Sequence, residues 1–342
     1  MRSIQRDHSQ GLRPPGLGMH RRSALATLGA LSLLPFSRLY AEELAEIDLW
    51  EVSTRHLPCG PCCTTACNNY EFYRGGMCGV PWEVSSWEAL LEATQADADK
   101  LTLFYAHGNW MTRDNTRERA RFIAEQIQRR CYNHFRIIFL SWPSQRERGP
   151  VRDIRENAEC ADSQAFYLAR LLRSLPHLSQ VSLLGFSLGA RVVTGALHLD
   201  SGGTVDGQAI DTSETIARQP YRVSLAAPAV DRSWLQPCGR FGLAMQHVER
   251  LVNLYNSKDP VLRRFRFIDN AITRPIAAGF AGFVGVSSIA DPGLNEPLAN
   301  QDRVQQFDCS SALGSTHDER SYYTRCSCFT NAVHNLMRQN AG

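Results

Sequence analysis

Lysine is nearly absent from this 342-residue chain: Lys100 and Lys258 are the only two. Arginine carries the positive charge instead, a compositional habit from which no function follows. The formal net charge is +3, but residues 1–41 hold six Arg against one Asp, and the remainder carries 31 basic and 33 acidic residues. The body of the chain therefore lacks the basic excess that a nucleic-acid partner would need. Internal repeats and low-complexity tracts are also missing, which excludes architectures built on a fixed period. The apolar run from Ala24 to Phe36 has 13 residues, short of the roughly 20 that a membrane-crossing helix needs. No second C-x₂-C follows Cys59-x-x-Cys62 at a matching spacing, so the paired-thiolate zinc pattern is incomplete.

What is present centres on Val181 to Val193, VSLLGFSLGARVV. Val181 to Leu184 reads as a short buried strand, and Ala190 to Val193 opens a helix. Between them stands Gly185-Phe186-Ser187-Leu188-Gly189, a G-x-S-x-G nucleophile elbow in its strand–turn–helix setting. Such a turn pushes the Ser187 hydroxyl out of the sheet edge. It also leaves the Leu188 N–H at a helix N-terminus, where it can face a developing oxyanion.

Residues 1–41 read as an export signal. A basic stretch ends in His20-Arg21-Arg22, an apolar run follows, then Ser37-Arg38-Leu39-Tyr40-Ala41. The twin arginines resemble the Tat signal. Leu39 is large for a cleavage position, so an uncleaved membrane anchor is the alternative. An exported location, periplasmic or extracellular, makes disulfides the first reading of the eleven cysteines, all of which follow the signal. Five crowd into residues 59–78: Cys59, Cys62, Cys63, Cys67 and Cys78. Metal ligation by this cluster is the rival reading.

Strands are expected at 47–53, 70–73, 101–106, 135–140, 181–184, 221–227, 251–255 and 304–307. Helices are expected within 82–93 starting near Ser85 or Ser86, after the capping-box spacing Asn115-x-x-Glu118, over 157–175, after the elbow, and over 322–337. This alternation predicts an α/β fold: a mostly parallel central sheet with helices on both faces. Residues 42–342 read as one domain, with a candidate lid or insertion at 262–301.

A serine hydroxyl is a poor nucleophile until a base takes its proton, and the base needs a carboxylate to fix its tautomer. In this fold the order along the chain is Ser, then acid, then His. His317 fits the base, in a Gly/Ser loop after the last strand. Asp259 fits the acid, directly after LVNLYNSK, with Asp231 after VSLAAPAV as the alternative. His198, His247 and His334 sit in helical contexts, and Asp318 reads as a loop cap. The second oxyanion donor is expected from the loop after an early strand, and the Asn109 N–H of His107-Gly108-Asn109 is placed there. His107 reads as scaffold, since it precedes the elbow. Trp110 and Trp142 are candidates for pocket walls or for core.

The strand ending in HGN, the strand ending in SWPS, GFSLGARVV, NSKDP and the STHD loop together resemble the α/β-hydrolase fold. The resemblance covers about residues 100–325. It is nearest to a branch of bacterial serine-hydrolase-like proteins with an HG loop, a SWPS strand end and a G-x-S-x-G elbow followed by Ala/Asn-Arg-Val. It implies esterase- or lipase-like chemistry, and the substrate does not carry over. The assembled residues read as an exported serine hydrolase acting on a carboxylic ester or thioester, small-molecule or lipid, with no cofactor or metal needed. The 59–78 segment is no part of that pattern. A non-catalytic binding protein using this segment is the alternative function.

Overall fold

Seven strands lie parallel in one sheet, and two short ones extend it through antiparallel pairs at one edge. The computed structural model describes residues 47–60, 69–77, 79–131, 134–213, 216, 218–267, 274–286 and 303–338. The export signal expected at 1–41 and Cys62, Cys63, Cys67 and Cys78 lie outside the described residues.

The strands are β1 (Asp48–Ser53), β2 (Glu71–Gly75), β3 (Glu83–Ser85), β4 (Thr102–Ala106), β5 (Arg136–Ser141), β6 (Val181–Phe186), β7 (Tyr221–Ala226), β8 (Val248–Tyr255) and β9 (Val304–Asp308). Their order is β3-β2-β1-β5-β4-β6-β7-β8-β9. Only the β1–β2 and β2–β3 pairs are antiparallel. The helices are α1 (Trp87–Ala96), α2 (Arg113–Gln128), α3 (Pro150–Ser174), α4 (Leu188–Asp200), α5 (Ala278–Ala281), α6 (Ser310–Leu313), α7 (Glu319–Thr324) and α8 (Phe329–Leu336). Every residue of β4, β5 and β6 is buried, which requires cover on both faces of the sheet. The helix α4 packs over β4 and β6 with α3 against it, while α8 packs over β6, β7 and β8. Ser182 Oγ on β6 donates to Leu336 O, and Ser224 Oγ on β7 to Ala332 O, which fixes α8 on the sheet. The elbow joins the central strand β6 to α4, and the architecture is the α/β-hydrolase fold.

Strand order reverses between β4 and β6. The chain runs from β4 outward to β5, then crosses back to β6 beside β4. The carboxyl ends of these strands therefore diverge into a crevice, the usual place for a ligand in an open α/β sheet. Both the HGN loop and the elbow leave the sheet here.

Several elements differ from the sequence expectation. The helix expected after Asn115 begins at Arg113, and its cap is Thr112, whose side chain accepts from the Asn115 N–H. The helix expected from 157 begins at Pro150, because Asp153 reaches back to accept the N–H groups of Glu147, Arg148 and Gly149. That carboxylate organises a run whose charges read as loop. The terminal helix expected over 322–337 is two helices, α7 and α8, with Cys326 in the break. Cys326 is bonded there to Cys309, and Cys59 to Cys160. The described part of 262–301 contributes to the core: Ala277, Ala278, Phe283 and Val286 are buried, and the Asn256 N–H donates to Gly279 O. No helix among the described residues is long and apolar enough to cross a membrane.

Candidate active site

Ser187 sits between β6 and α4 with φ 53° and ψ −119°, a backbone that costs a non-glycine residue about 1–3 kcal/mol. The surroundings hold it there. Its N–H donates to Ala226 O, and its C=O accepts from Ala190 and Ala229. Gly189 is required by approach: a Cβ there would lie 2.0 Å from Ala106 O at the end of β4. Gly108 is similar, since its Cβ would meet the Phe186 ring at 2.8 Å and Ser187 Cβ at 3.2 Å. The HGN loop therefore lies directly against the elbow.

His317 and Asp259 meet Ser187 from two further strand ends. His317 Nε2 is 3.0 Å from Ser187 Oγ, and His317 Nδ1 is 2.6 Å from Asp259 Oδ2. Asp259 is fully buried. Its other oxygen, Oδ1, accepts the N–H groups of Val261 and Leu262 at 2.8 and 3.0 Å, which prevents the carboxylate from turning away. Asp231, the alternative acid, is engaged elsewhere. It accepts from Ser233 N–H and Oγ and from the Ile276 N–H, tying the loop after β7 to the segment before α5. Asp318 caps α7 through the Ser321 N–H. His198 accepts the Leu243 N–H, and His334 lies on α8. Neither joins the Ser187 cluster.

Among the described residues, no acceptor within the protein takes the Leu188 or the Asn109 N–H. Leu188 opens α4, where the first N–H groups have no intrahelical partner. The Asn109 loop is held by Ser144 of the SWPS run: Ser144 O accepts the Trp110 N–H at 2.6 Å, and Ser144 Oγ donates to Gly108 O at 3.2 Å. Asn157 Nδ2 adds a bond to Asn109 Oδ1 at 2.6 Å. The sequence showed Ser144 only as part of a strand end, and nothing in it marked Asn157.

His107 is scaffold, as its position implied. Its Nδ1 lies 2.8 Å from Gly108 O, and its Nε2 accepts the Trp142 N–H at 3.1 Å. These partners fix the Nδ1–H tautomer. Burial, helped by the nearby Arg55 charge, pushes the ring down to about 3. Trp142 is fully buried and stacks on His107, with centroids 5.2 Å apart. Trp142 thus belongs to the core, whereas Trp110 lines the cavity over Ser187.

That cavity has a volume of about 320 Å³. Ile154, Ala229, Val261 and Leu262 form an apolar wall, and Arg119, Asp318 and Glu319 lie at its polar side. Glu319 is buried and accepts from the Tyr105 and Tyr323 hydroxyls, both at 2.9 Å, and from Arg119. Burial pushes its carboxyl up, against the pull of these partners. Among the described residues, no group of three or more His, Cys, Asp or Glu is placed to hold a metal ion. Cys59 is committed to Cys160, which removes the first thiolate of the Cys59-x-x-Cys62 pair.

No family model matches the sequence, and no curated protein matches it. Among solved structures, the chain is similar to a C6-C4 SN3 inhibited esterase B from Lactobacillus rhamnosis, with TM-score 0.32 and 10% identity over 93% of this chain and 97% of that one. A second structure of esterase B from the same organism, inhibited with a C4-C4 SN3 tributyrin phosphonate, gives TM-score 0.34 and 11% identity over 94% of each chain.

Proposed function

We propose that this chain is an exported serine hydrolase that cleaves a carboxylic ester or thioester through an acyl-enzyme. The observation that carries the reading is the continuous line of hydrogen bonds from Asp259 through His317 to Ser187, 2.6 and 3.0 Å long. In this reading Ser187 Oγ attacks the carbonyl carbon while His317 Nε2 takes its proton. Asp259 keeps the Nδ1–H tautomer and stabilises the imidazolium. The Leu188 and Asn109 N–H groups receive the oxyanion, and one such donor contributes about a hundred- to thousandfold in rate. His317 then protonates the leaving oxygen or sulfur as its bond to the carbonyl carbon breaks. Water, activated by the same histidine, attacks the acyl-Ser187 ester and frees the acid. These steps draw on protein groups and water alone. The apolar wall of the cavity suits the acyl or alkyl part of a small-molecule or lipid ester.

Export is supported by the basic–apolar–small order of residues 1–41 and by two disulfides, which persist in oxidising compartments. An uncleaved anchor is the alternative fate of that segment. The test of the chemistry is labelling of the full, oxidised protein with a fluorophosphonate probe, beside Ser187→Ala and His317→Ala. Covalent labelling of the wild type, lost in both variants, is the expected result. A folded wild type that takes up no probe and hydrolyses no short-chain ester would turn the reading to a non-catalytic binding protein.

A further inference from the structure

Six large apolar side chains are exposed among the described residues, and three of them gather at the cavity mouth: Trp110, Val261 and Phe267, at 40, 36 and 51% exposure. Trp110 and Val261 line the cavity itself. Phe267 is tied to the same rim, because Arg155, next to the wall residue Ile154, donates from Nε to Phe267 O at 2.9 Å. Scattered exposed apolar groups carry little meaning, but a cluster around a site entrance does.

Positive charge adjoins this cluster, and part of it has no ion pair among the described residues, although Arg148 and Arg152 share Glu156. The 3₁₀ segment Leu262–Phe267, LRRFRF, buries Leu262 and Phe265 and turns Arg263, Arg264 and Arg266 outward with Phe267. None of these three arginines forms an ion pair among the described residues. The Arg266 guanidinium lies 4.7 Å from the Phe267 ring centroid, and that of Arg146 lies 5.5 Å from the Trp110 ring. Residues 146–156 and 261–267 together hold seven arginines against three carboxylates, in a body that otherwise has more acids than bases. Positive charge is therefore concentrated where the apolar tips emerge.

We propose that this rim docks on an anionic lipid bilayer and brings the cavity mouth to the headgroup level. Arginine stems can lie along the apolar groups while their heads meet anionic headgroups. Trp110, Val261 and Phe267 enter the boundary between headgroup and acyl chain. A soluble acidic polymer would satisfy the arginines and leave the apolar tips wet, so the pairing of both features selects the bilayer. The proposal rests on the ester-hydrolase reading for what the cavity does, which makes bilayer-borne esters the natural substrates.

The test is sedimentation of the full chain with vesicles of phosphatidylcholine alone or mixed with phosphatidylglycerol, comparing wild type, R263E/R266E and F267S. All three proteins carry the same residues 1–41, so adsorption through that segment is common to them. The expected result is a preference of wild type for the anionic vesicles. Partition should fall at least tenfold in R263E/R266E and severalfold in F267S. Hydrolysis of a water-soluble short-chain ester should stay within twofold in both variants, which also reports correct folding. Equal partition of all three proteins, or equal binding to both vesicle types, would overturn the proposal. Loss in R263E/R266E with no change in F267S would overturn it in favour of an acidic polymer. Absence of ester hydrolysis in the wild type bears on the hydrolase reading alone, since the vesicle assay does not depend on turnover.

Discussion

At the residue scale, Asn256 shows how the site is held together by groups that touch no substrate. It is fully buried. Its Nδ2 donates to Gly314 O at 2.9 Å and Thr316 O at 3.0 Å, and its Oδ1 accepts the Lys258 N–H at 2.9 Å. One side chain thus joins the loop carrying Asp259 to the loop carrying His317. Asn256→Ala leaves two carbonyls and an N–H without that partner, at about 1–3 kcal/mol of stability. As a positioning residue it should also lower kcat for a soluble ester by about a hundredfold, since misplacement near 1 Å costs that much. KM should change little. A variant that melts earlier but keeps its kcat would reduce Asn256 to a purely structural role. The triad candidates were legible in the sequence because fold order and strand ends mark Ser187, Asp259 and His317. Asn256 stood in the same NSKDP run without attracting a role. Its partners are backbone carbonyls about sixty positions away, and backbone carbonyls leave no side-chain signature to read.

At the element scale, legibility followed burial. The strands β4, β5 and β6 were readable as apolar runs because every residue in them is inside. The strand β3 went unread, for it is three residues long at the sheet edge, with Val84 exposed, whereas the helix after it starts at the Ser86 cap, where the sequence puts its beginning. The break between α7 and α8 was missed for a different reason. The apolar pattern runs on through it, and a cross-link whose partner the sequence does not name sits in the gap. That cross-link, Cys309–Cys326, closes a segment with His317 near its middle, at a sequence separation of 17. Closing a loop of this size stabilises a fold by about 3 kcal/mol in the chain-entropy account. The double variant C309S/C326S should therefore unfold at a lower denaturant concentration by that order. Fluorophosphonate labelling should fall with it even where the protein is still folded, because α7 and the His317 loop lose a common tether. Denaturant titration monitored in parallel by tryptophan emission and by labelling reads both effects. Coincident loss of the two signals would mean that the tether acts on global stability alone.

For the whole molecule, the response to acid follows from a residue that the proposed chemistry does not use. His107 is fully buried, and its ring titrates near 3 in the fold against 6.5 when free. The unfolded chain therefore binds a proton at this residue between about pH 6.5 and 3, while the folded chain does not. The fold binds fewer protons in that window, so stability falls as pH falls through it, by about 1.4 kcal/mol per pH unit from this group. Above pH 6.5 and below about 3 the residue contributes no slope, because the two states then carry the same charge. Carboxylates titrate in part of the same range, so the effect is isolated by difference. His107→Gln keeps a side chain able to hydrogen-bond but removes the titration. Its stability should lie below wild type by a constant amount from pH 8 to about 6.5, and the two should converge as pH drops toward 4. Urea titrations at four or five pH values measure this directly, and a gap of unchanging size would show that the imidazole is charged within the fold. The consequence reaches the site through one bond. A protonated His107 loses the lone pair that accepts the Trp142 N–H. It also places a charge beside Gly108, whose loop lies against the elbow. Because the folded ring takes its proton only near 3, that bond should hold wherever the fold survives, and His107→Gln should leave the shape of the acid limb of ester hydrolysis unchanged.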